Sequence, residues 1–215
     1  MAAFLAVVAP PCNFAYQSRP MTTDMLFALA LGYLLGSIPF GLLLTKAFGK
    51  GDIREIGSGN IGATNVLRTG SKPLAAATLI LDALKGAAAV LIAQYWLPQA
   101  VNFSAAGALV GHLYPVWLKF RGGKGVATLL GILVPLLPIA ALAYALIWIW
   151  LLVMIRISSV AGLAAAVSAP VTAALVGRID LMPMLFGFAL LVMWKHIPNI
   201  ARLKAGTEPR IGSKD

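Results

Sequence analysis

Apolar stretches long enough to cross a lipid bilayer, with the polar residues confined to the segments between them, are the strongest constraint on this chain. Only 11% of its 215 residues are charged and 60% are hydrophobic, whereas about a quarter of the residues in soluble domains are charged. A helix satisfies every backbone polar group within its own segment, and about 20 apolar residues span the hydrocarbon. The sequence therefore predicts an all-α integral membrane protein, in which many small residues favour close helix packing.

Seven predicted transmembrane helices account for the apolar stretches. They cover residues 24–47, 73–97, 103–118, two short helices within 126–155, 159–176 and 181–194. The run 126–155 would make ~45 Å as one helix, which is too long for a single span. We therefore predict two short helices around Pro135–Pro138, because proline interrupts helical hydrogen bonding. Pro39 predicts a kink in the first span for the same reason.

The distribution of lysine and arginine predicts the orientation of these helices. With seven spans, one side of the membrane holds fourteen of the seventeen cations. They are Lys46, Lys50, Arg54, Arg68, Lys72, Lys119, Arg121, Lys124, Arg156, Lys195, Arg202, Lys204, Arg210 and Lys214. Cytoplasmic loops of membrane proteins carry the excess of positive charge. We therefore predict the N-terminus outside and the C-terminus in the cytoplasm.

Residues 1–20 do not fit this pattern. Their apolar run is short, lacks a basic start and ends at Pro10-Pro11, so it is neither a good signal peptide nor a span. Met21 is a plausible start directly before the first span. We predict that residues 1–20 are an extension, disordered or absent from the native protein, before one membrane-embedded domain at 21–215. The single Cys12 excludes an internal disulfide.

The polar segment Gly57–Arg68, between the first two spans, has the composition of a phosphate-binding loop. It holds three glycines, four hydroxyl or amide side chains and one arginine, namely Gly57, Gly59, Gly62, Ser58, Asn60, Thr64, Asn65 and Arg68. Glycines allow backbone N–H groups to approach an anion, and arginine binds phosphate in bidentate fashion. A Walker A loop is excluded because Ala63 stands where that loop has lysine. The alternative is a glycine-rich turn that only connects two helices.

Two further polar segments on the predicted cytoplasmic side have the same character. The first leads into an apolar helix, whose N-terminus favours anions, and contributes Arg121, Gly122, Gly123, Lys124, Gly125 and Thr128. The second follows the last span and contributes His196, Asn199, Arg202 and Lys204. For Glu208 we expect an ion pair with Arg202 or Lys204 that fixes the tail. Three such segments predict a site for two phosphorylated molecules.

Asp82 and Lys85 are ionisable residues inside the second predicted span. Residues three apart lie on one helix face, and charges at membrane depth are usually paired or functional. Either a structural ion pair lining a polar cavity or a direct role in the site fits this spacing. Ser37 beside Pro39 has two readings as well, as a substrate contact or as a partner for the backbone at the kink.

Other function classes are disfavoured by the sequence. No aspartate-rich Mg²⁺ motif lies among the polar segments, so neither a metal nor another cofactor is expected. Nucleic acid is a poor partner for the net charge of +10, because no soluble basic domain carries it. A transporter of phosphate or organic anions is the rival class. Its site would lie near the bilayer midplane, where only Asp82 and Lys85 are placed.

Five sequence motifs, found together and in order, resemble the bacterial acyl-phosphate:glycerol-3-phosphate acyltransferase family. They are Gly36–Gly41, Gly57–Gly70, Leu81–Gly86, Gly111–Pro115 with Phe120–Thr128, and Asn199–Glu208. The resemblance covers about residues 24–212. It implies a seven-helix enzyme of the bacterial inner membrane, with its active site facing the cytoplasm. The implied reaction moves a fatty acyl group from acyl phosphate to the sn-1 hydroxyl of glycerol 3-phosphate, giving lysophosphatidic acid and phosphate as the first step of phospholipid synthesis.

The resemblance also implies roles for individual residues. Ser58 and Arg68 are associated with activity, Gly122, Gly123 and Gly125 with glycerol 3-phosphate, and His196, Asn199 and Glu208 with activity or structural integrity. We assign catalysis to Ser58, Arg68, Lys124, His196 and Asn199, and structural roles to Asp82 and Glu208. We assign substrate binding to Ser37, Gly57, Gly59, Asn60, Gly62, Thr64, Asn65, Lys85, His112, Arg121, Gly122, Gly123, Gly125, Thr128 and Lys204.

Two routes remain open for the proton that the attacking hydroxyl must lose. Neither His112 nor His196 begins the H-x-x-x-x-D motif of many glycerolipid acyltransferases. Acyl phosphate is already an activated mixed anhydride, so we expect positioning and oxyanion stabilisation to be the main needs. Our hypothesis is direct attack, with the departing phosphate taking the proton. The competing route uses His196 or His112 as a general base.

Overall fold

The structure is a computed structural model that describes residues 21–212. The predicted extension at residues 1–20 lies outside the described residues. Within them the chain is all-helical, without strands. The helices are α1 (Met21–Gly36), α2 (Phe40–Ala47), α3 (Ala63–Leu67), α4 (Lys72–Trp96), α5 (Val101–Leu113), α6 (Val126–Leu136), α7 (Pro138–Ile155), α8 (Ser158–Leu175), α9 (Met182–Lys195) and α10 (Ile197–Lys204). Three short 3₁₀ turns lie at Ile53–Glu55, Pro98–Ala100 and Val116–Leu118.

Paired glycines bring α1 and α5 into direct backbone contact. A Cβ on Gly36 would lie 2.7 Å from the Cα of Ala108, and one on Gly111 would lie 3.0 Å from the backbone nitrogen of Ser37. Gly32 and Gly107, one turn away on each helix, face the partner backbone in the same way. Small residues four apart allow such close approach, which drives helix association in lipid.

The same packing joins α4 to α6. Gly86 on α4 faces the backbone of Thr128, and Gly131 on α6 faces the backbone of Ala83. Around these contacts lies a core of buried aliphatic and small residues from α4 to α9, with Tyr144 as its largest fully buried side chain. This core holds the beginning of α6, and therefore the polar segment before it, in a defined place.

The helix breaks follow the prolines, as the sequence predicts. α1 and α2 are separated at Pro39, although together they form one apolar unit, Thr22–Ala47. α6 ends at Leu136 and α7 begins at Pro138, which confirms the predicted break. The third predicted span is shorter than expected. α5 ends at Leu113 instead of residue 118, because Tyr114 precedes Pro115 and leaves the helical conformation, with φ −139° and ψ +57°.

Within residues 21–212, four helices are long and apolar enough to cross a bilayer, and five if α9 and α10 count as one bent span. The four are Thr22–Ala47, Lys72–Trp96, Pro138–Ile155 and Ser158–Leu175. α5 and α6, with 13 and 11 residues, make only about 20 and 16 Å of helix. The chain is therefore a membrane protein, whereas the total of seven crossings and the orientation of the termini stay predictions.

The C-terminal tail folds back over the end of α7. α9 and α10 meet at an angle of 58° near His196. After α10 the chain returns, and the backbone N–H of Ile211 donates to the carbonyl of Arg156 at 2.7 Å. This return places the third polar segment beside the other two.

Candidate active site

A cavity of about 570 Å³ lies where the three polar segments meet. Thirteen of the predicted site residues line it, namely Ser58, Asn60, Gly62, Thr64, Asn65, Arg68, Asp82, His112, Lys124, Gly125, His196, Asn199 and Glu208. Its wall thus combines the loop before α4, the segment before α6 and the tail. The convergence expected from the sequence is present in the structure.

Asn65 organises the first polar segment from inside. Its side-chain amide nitrogen donates to the carbonyl oxygens of Ile53, Ile56 and Asn60 at 2.9, 2.9 and 2.8 Å. Its amide oxygen accepts from the backbone N–H of Ser58 at 3.2 Å. These bonds satisfy the amide within the protein, so Asn65 shapes the loop that carries Ser58 rather than offering free donors to a ligand.

Gly57 must be glycine for two reasons. Its φ is +54°, in the left-handed region where a Cβ is disfavoured. A Cβ there would also lie 2.6 Å from the Cδ of Arg68 and 2.7 Å from the amide oxygen of Asn65. The absence of a side chain therefore lets the arginine lie across the loop and reach the cavity.

The second segment uses its glycine N–H groups differently from the prediction. The N–H of Gly122 donates to the carbonyl of Leu113 at 3.2 Å, and that of Gly123 to the carbonyl of His112 at 3.0 Å. These donors close the turn after α5 instead of facing a phosphate. Gly123 also lies against the imidazole of His112, where any side chain would collide with the ring.

Lys124 projects from this segment into the cavity. Burial lowers the pKa of Lys124 to about 8. The negative charge of Glu208 opposes this decrease, whereas the positive charges of Arg202 and Arg68 add to it. Among residues 21–212 neither Lys124 nor Arg68 forms an ion pair or a side-chain hydrogen bond. Their charges are therefore available to an anionic ligand.

Glu208 ties the tail to two helices. Its carboxylate accepts from the Ser159 hydroxyl at 2.7 Å, the Asn199 amide at 2.5 Å and Arg202 Nε at 2.7 Å. Burial acts to raise the pKa of Glu208, but these hydrogen bonds outweigh it and the pKa lies below its usual value. Arg202 is one of the two residues that the sequence predicts as ion-pair partners of Glu208. The amide oxygen of Asn199 is left buried without a hydrogen bond at the cavity.

His196 follows the end of α9 and is almost fully buried. Its Nδ1 lies 2.7 Å from the carbonyl oxygen of Val192, a contact that requires the proton on Nδ1 and leaves Nε2 as an acceptor. Burial lowers the pKa of His196 to about 4; the Val192 carbonyl opposes this and Lys124 adds to it. The ring is therefore neutral at pH 7.

Asp82 and Lys85 form an ion pair, which is one of the two readings that their spacing allows. Asp82 Oδ1 lies 2.6 Å from Lys85 Nζ and 3.8 Å from His112 Nδ1. Lys85 also donates to the carbonyl of Ile38, just before Pro39, at 2.7 Å. Asp82 lines the cavity, whereas the ammonium group of Lys85 stabilises the backbone at the break between α1 and α2.

The remaining predicted residues lie away from the cavity wall. They are Ser37, Gly57, Gly59, Lys85, Arg121, Gly122, Gly123, Thr128 and Lys204. The Ser37 hydroxyl donates to the carbonyl of Leu34 at 2.9 Å, which fits its reading as a partner for the backbone. Thr128 is fully buried, and Lys204 is exposed. Their predicted part in substrate binding stays a prediction, as do the roles of the cavity residues.

Residues 26–206 match the sequence model of glycerol-3-phosphate acyltransferase. The chain belongs to the glycerol-3-phosphate acyltransferase family. A relative of that name from Mesorhizobium japonicum is 55% identical over 90% of this chain and 100% of its own length. Another, from Methylorubrum populi, is 54% identical over 88% and 94%.

Two crystal structures of PlsY, an integral membrane glycerol 3-phosphate acyltransferase, share the fold of this acyltransferase. One is the glycerol 3-phosphate form, with a TM-score of 0.83, and the other is the lysophosphatidic acid form, with a TM-score of 0.81. Each is 37% identical, with 88% of this chain and 96% of the solved chain covered. The chain is thus a membrane-integral acyltransferase, as its motifs predict.

Several cavity residues of the acyltransferase were not among the predicted site residues. They are Lys72, Leu79, Trp148, Arg156, Ser158, Ser159 and Arg210. In the sequence Arg156 contributes only to the count of cytoplasmic cations, and Trp148 is one aromatic residue in an apolar helix. The αL backbone at Arg156, which terminates α7, and the return of the tail place Arg156 at the wall.

Proposed function

We propose that this acyltransferase moves a fatty acyl group from acyl phosphate to the sn-1 hydroxyl of glycerol 3-phosphate, releasing lysophosphatidic acid and inorganic phosphate. The observation that carries the proposal is a pair of cavity cations, Arg68 and Lys124, without carboxylate partners among the described residues. Unneutralised cations in a partly buried site favour phosphate groups. The glycerol 3-phosphate and lysophosphatidic acid forms of the related PlsY fit such substrates.

In the proposed reaction, the sn-1 oxygen attacks the acyl carbonyl carbon. The new C–O ester bond forms, the bond from the carbonyl carbon to the phosphate oxygen breaks, and the phosphate leaves with the hydroxyl proton. Arg68, Lys124 and the donors of Ser58 would hold the two anions close together and stabilise the developing oxyanion. Because the donor is an anhydride, the reaction needs no covalent enzyme intermediate.

His196 would then orient the attacking hydroxyl. Its Nε2 is a hydrogen-bond acceptor, because the proton is on the Nδ1 facing Val192. A pKa of about 4 makes it a weak base at neutral pH, where a good general base titrates near the working pH. This supports transfer of the proton to the leaving phosphate. Asn199, anchored by Glu208, would present its free amide oxygen to the same substrate.

We also propose that the cavity faces the cytoplasm of a bacterial inner membrane. Six cavity cations, Arg68, Lys72, Lys124, Arg156, Arg202 and Arg210, lie on this one face. Positive charge concentrates on the cytoplasmic side of membrane proteins. Both water-soluble glycerol 3-phosphate and a donor that partitions into the leaflet would reach the cavity from there.

The test is an assay of purified protein in detergent, supplied with palmitoyl phosphate and glycerol 3-phosphate. We expect equal amounts of phosphate and lysophosphatidic acid, with the acyl chain on the sn-1 oxygen by NMR. Arg68→Gln should lower kcat/KM about 100-fold, by loss of charged hydrogen bonds. Arg178→Gln, in the exposed loop before α9, is the matched control. No turnover with acyl phosphate, or turnover with palmitoyl-CoA alone, would overturn the proposal.

A further inference from the structure

Arg156 has a backbone conformation that its residue type does not favour. It caps α7 with φ +61°, ψ +19°, in the left-handed region where glycine or asparagine is usual. Among the described residues, Lys119 and Phe120 are the other non-glycine residues with positive φ, and neither lines the cavity. A glycine would end α7 with less strain, so the arginine side chain needs a separate reason.

The surroundings of Arg156 direct its charge to the cavity. Its carbonyl accepts from the Ile211 N–H, and a Cβ on Gly212 would lie 2.7 Å from its Nη2. The guanidinium therefore lies beside the returning tail, at the rim of the cavity that it lines. It forms no ion pair or side-chain hydrogen bond within residues 21–212. An unpaired guanidinium at a cavity rim is suited to a phosphate group.

The part of α7 that precedes Arg156 is apolar and suited to contact with an acyl chain. Trp148 lines the cavity two turns earlier on α7, about 12 Å deeper along the helix axis. Leu79, on α4, contributes a second apolar group to the cavity wall. The outer face of α7 is apolar and exposed, with Leu146, Ile149, Trp150, Val153 and Met154. A lipid-like molecule would thus place its phosphate at the rim and its chain beside Trp148.

We propose that Arg156 binds the phosphate group of the acyl donor, while Trp148 and Leu79 contact the first part of its chain. This inference rests on the proposed function, because it assigns one of its two substrates. Glycerol 3-phosphate presents the same phosphate chemistry but carries no chain to follow the apolar wall. The kinetics of the two substrates therefore distinguish which phosphate Arg156 binds.

The test uses Arg156→Gly and Arg156→Lys in the full-length protein. Glycine removes the guanidinium and relieves the left-handed backbone, so the melting temperature should stay the same or rise. The KM for palmitoyl phosphate should rise about tenfold, as expected for loss of one charge-assisted contact at a partly exposed site. The kcat and the KM for glycerol 3-phosphate should change less than twofold, and lysine should recover part of the donor affinity.

Lys119→Gly is the matched control. It removes an exposed cation and a left-handed non-glycine residue that is not at the cavity, so both KM values should stay unchanged. An unchanged donor KM in Arg156→Gly, or a rise confined to the KM for glycerol 3-phosphate, would overturn the inference. If Arg156→Gly failed to fold, Arg156→Asn, which also tolerates this backbone, would give the same measurement. If the wild-type protein did not use acyl phosphate, the proposed function itself would fail.

Discussion

Among single residues, Lys124 has a charge that depends strongly on its surroundings. Its pKa is about 8 because burial disfavours the ammonium form. At pH 7 the lysine is charged, and it loses that charge as the pH rises through 8. Phosphate affinity should therefore fall on the alkaline side, where an ordinary exposed lysine would still be protonated.

We expect the KM for a phosphorylated substrate to rise between pH 7.5 and 9.5 in the wild-type enzyme. Lys124→Arg should remove this rise, because a guanidinium stays charged throughout the range. Steady-state kinetics at steps of half a pH unit measure this change in KM. Lys50 is exposed and lies outside the cavity, so Lys50→Arg should behave as wild type. A KM that rises equally in Lys124→Arg would contradict the role given to this charge.

The two histidines allow a test of proton transfer at the same scale. In the double variant His196→Gln/His112→Gln we expect kcat to fall less than tenfold, because glutamine keeps an acceptor and the leaving phosphate takes the proton. Pre-steady-state and steady-state turnover with saturating substrates measure this. A loss of about 100-fold or more at constant KM would instead favour a histidine base.

At the scale of elements, the loop before α4 owes its shape to one buried amide. Asn65→Ala should lower the free energy of unfolding by about 2–3 kcal/mol and kcat/KM at least tenfold, since the hydrogen bonds from the amide to four backbone groups are lost. Thermal unfolding and initial rates measure the two effects. Asn102→Ala, on the exposed side of α5, should change neither. Normal kcat/KM in Asn65→Ala would show that the loop does not need this amide.

The close packing of α1 against α5 leads to a second prediction at the scale of secondary-structure elements. In Gly36→Ala the new Cβ would collide with the backbone at Ala108, so the free energy of unfolding should fall by about 1–3 kcal/mol. Gly187→Ala is the matched control, because nothing lies within 4 Å of that Cβ. The control should be neutral or stabilising, as alanine favours helix. Equal melting temperatures for both variants would contradict this packing.

For the whole molecule, the prediction concerns orientation in the membrane. In a Cys12→Ser background, single cysteines at Lys50 and Lys119 should be protected from a membrane-impermeant maleimide in intact cells and labelled after lysis. Cysteines at Gln99 and Arg178, on the opposite loops, should be labelled in intact cells. All four positions are exposed, so burial does not explain a difference. The reverse pattern would place the cavity outside the cell.

Much of this architecture could be predicted because a bilayer leaves few alternatives. Apolar runs must be helices, and prolines at 39 and 135–138 interrupt them, as the breaks at Pro39 and Leu137 show. The spacing of Gly32 with Gly36 and of Gly107 with Gly111 is also visible in the sequence. The cation count predicted that the polar segments share one side, and the cavity joins them.

The use of individual polar groups was decided by the tertiary structure. The sequence determines that Asn65 and the N–H groups of Gly122 and Gly123 are donors, but not whether a ligand or the protein accepts from them. In the folded chain they bond to backbone carbonyls, whereas Arg156 reaches the cavity through a left-handed helix end. Side-chain direction depends on where distant segments lie, and local sequence does not contain that information.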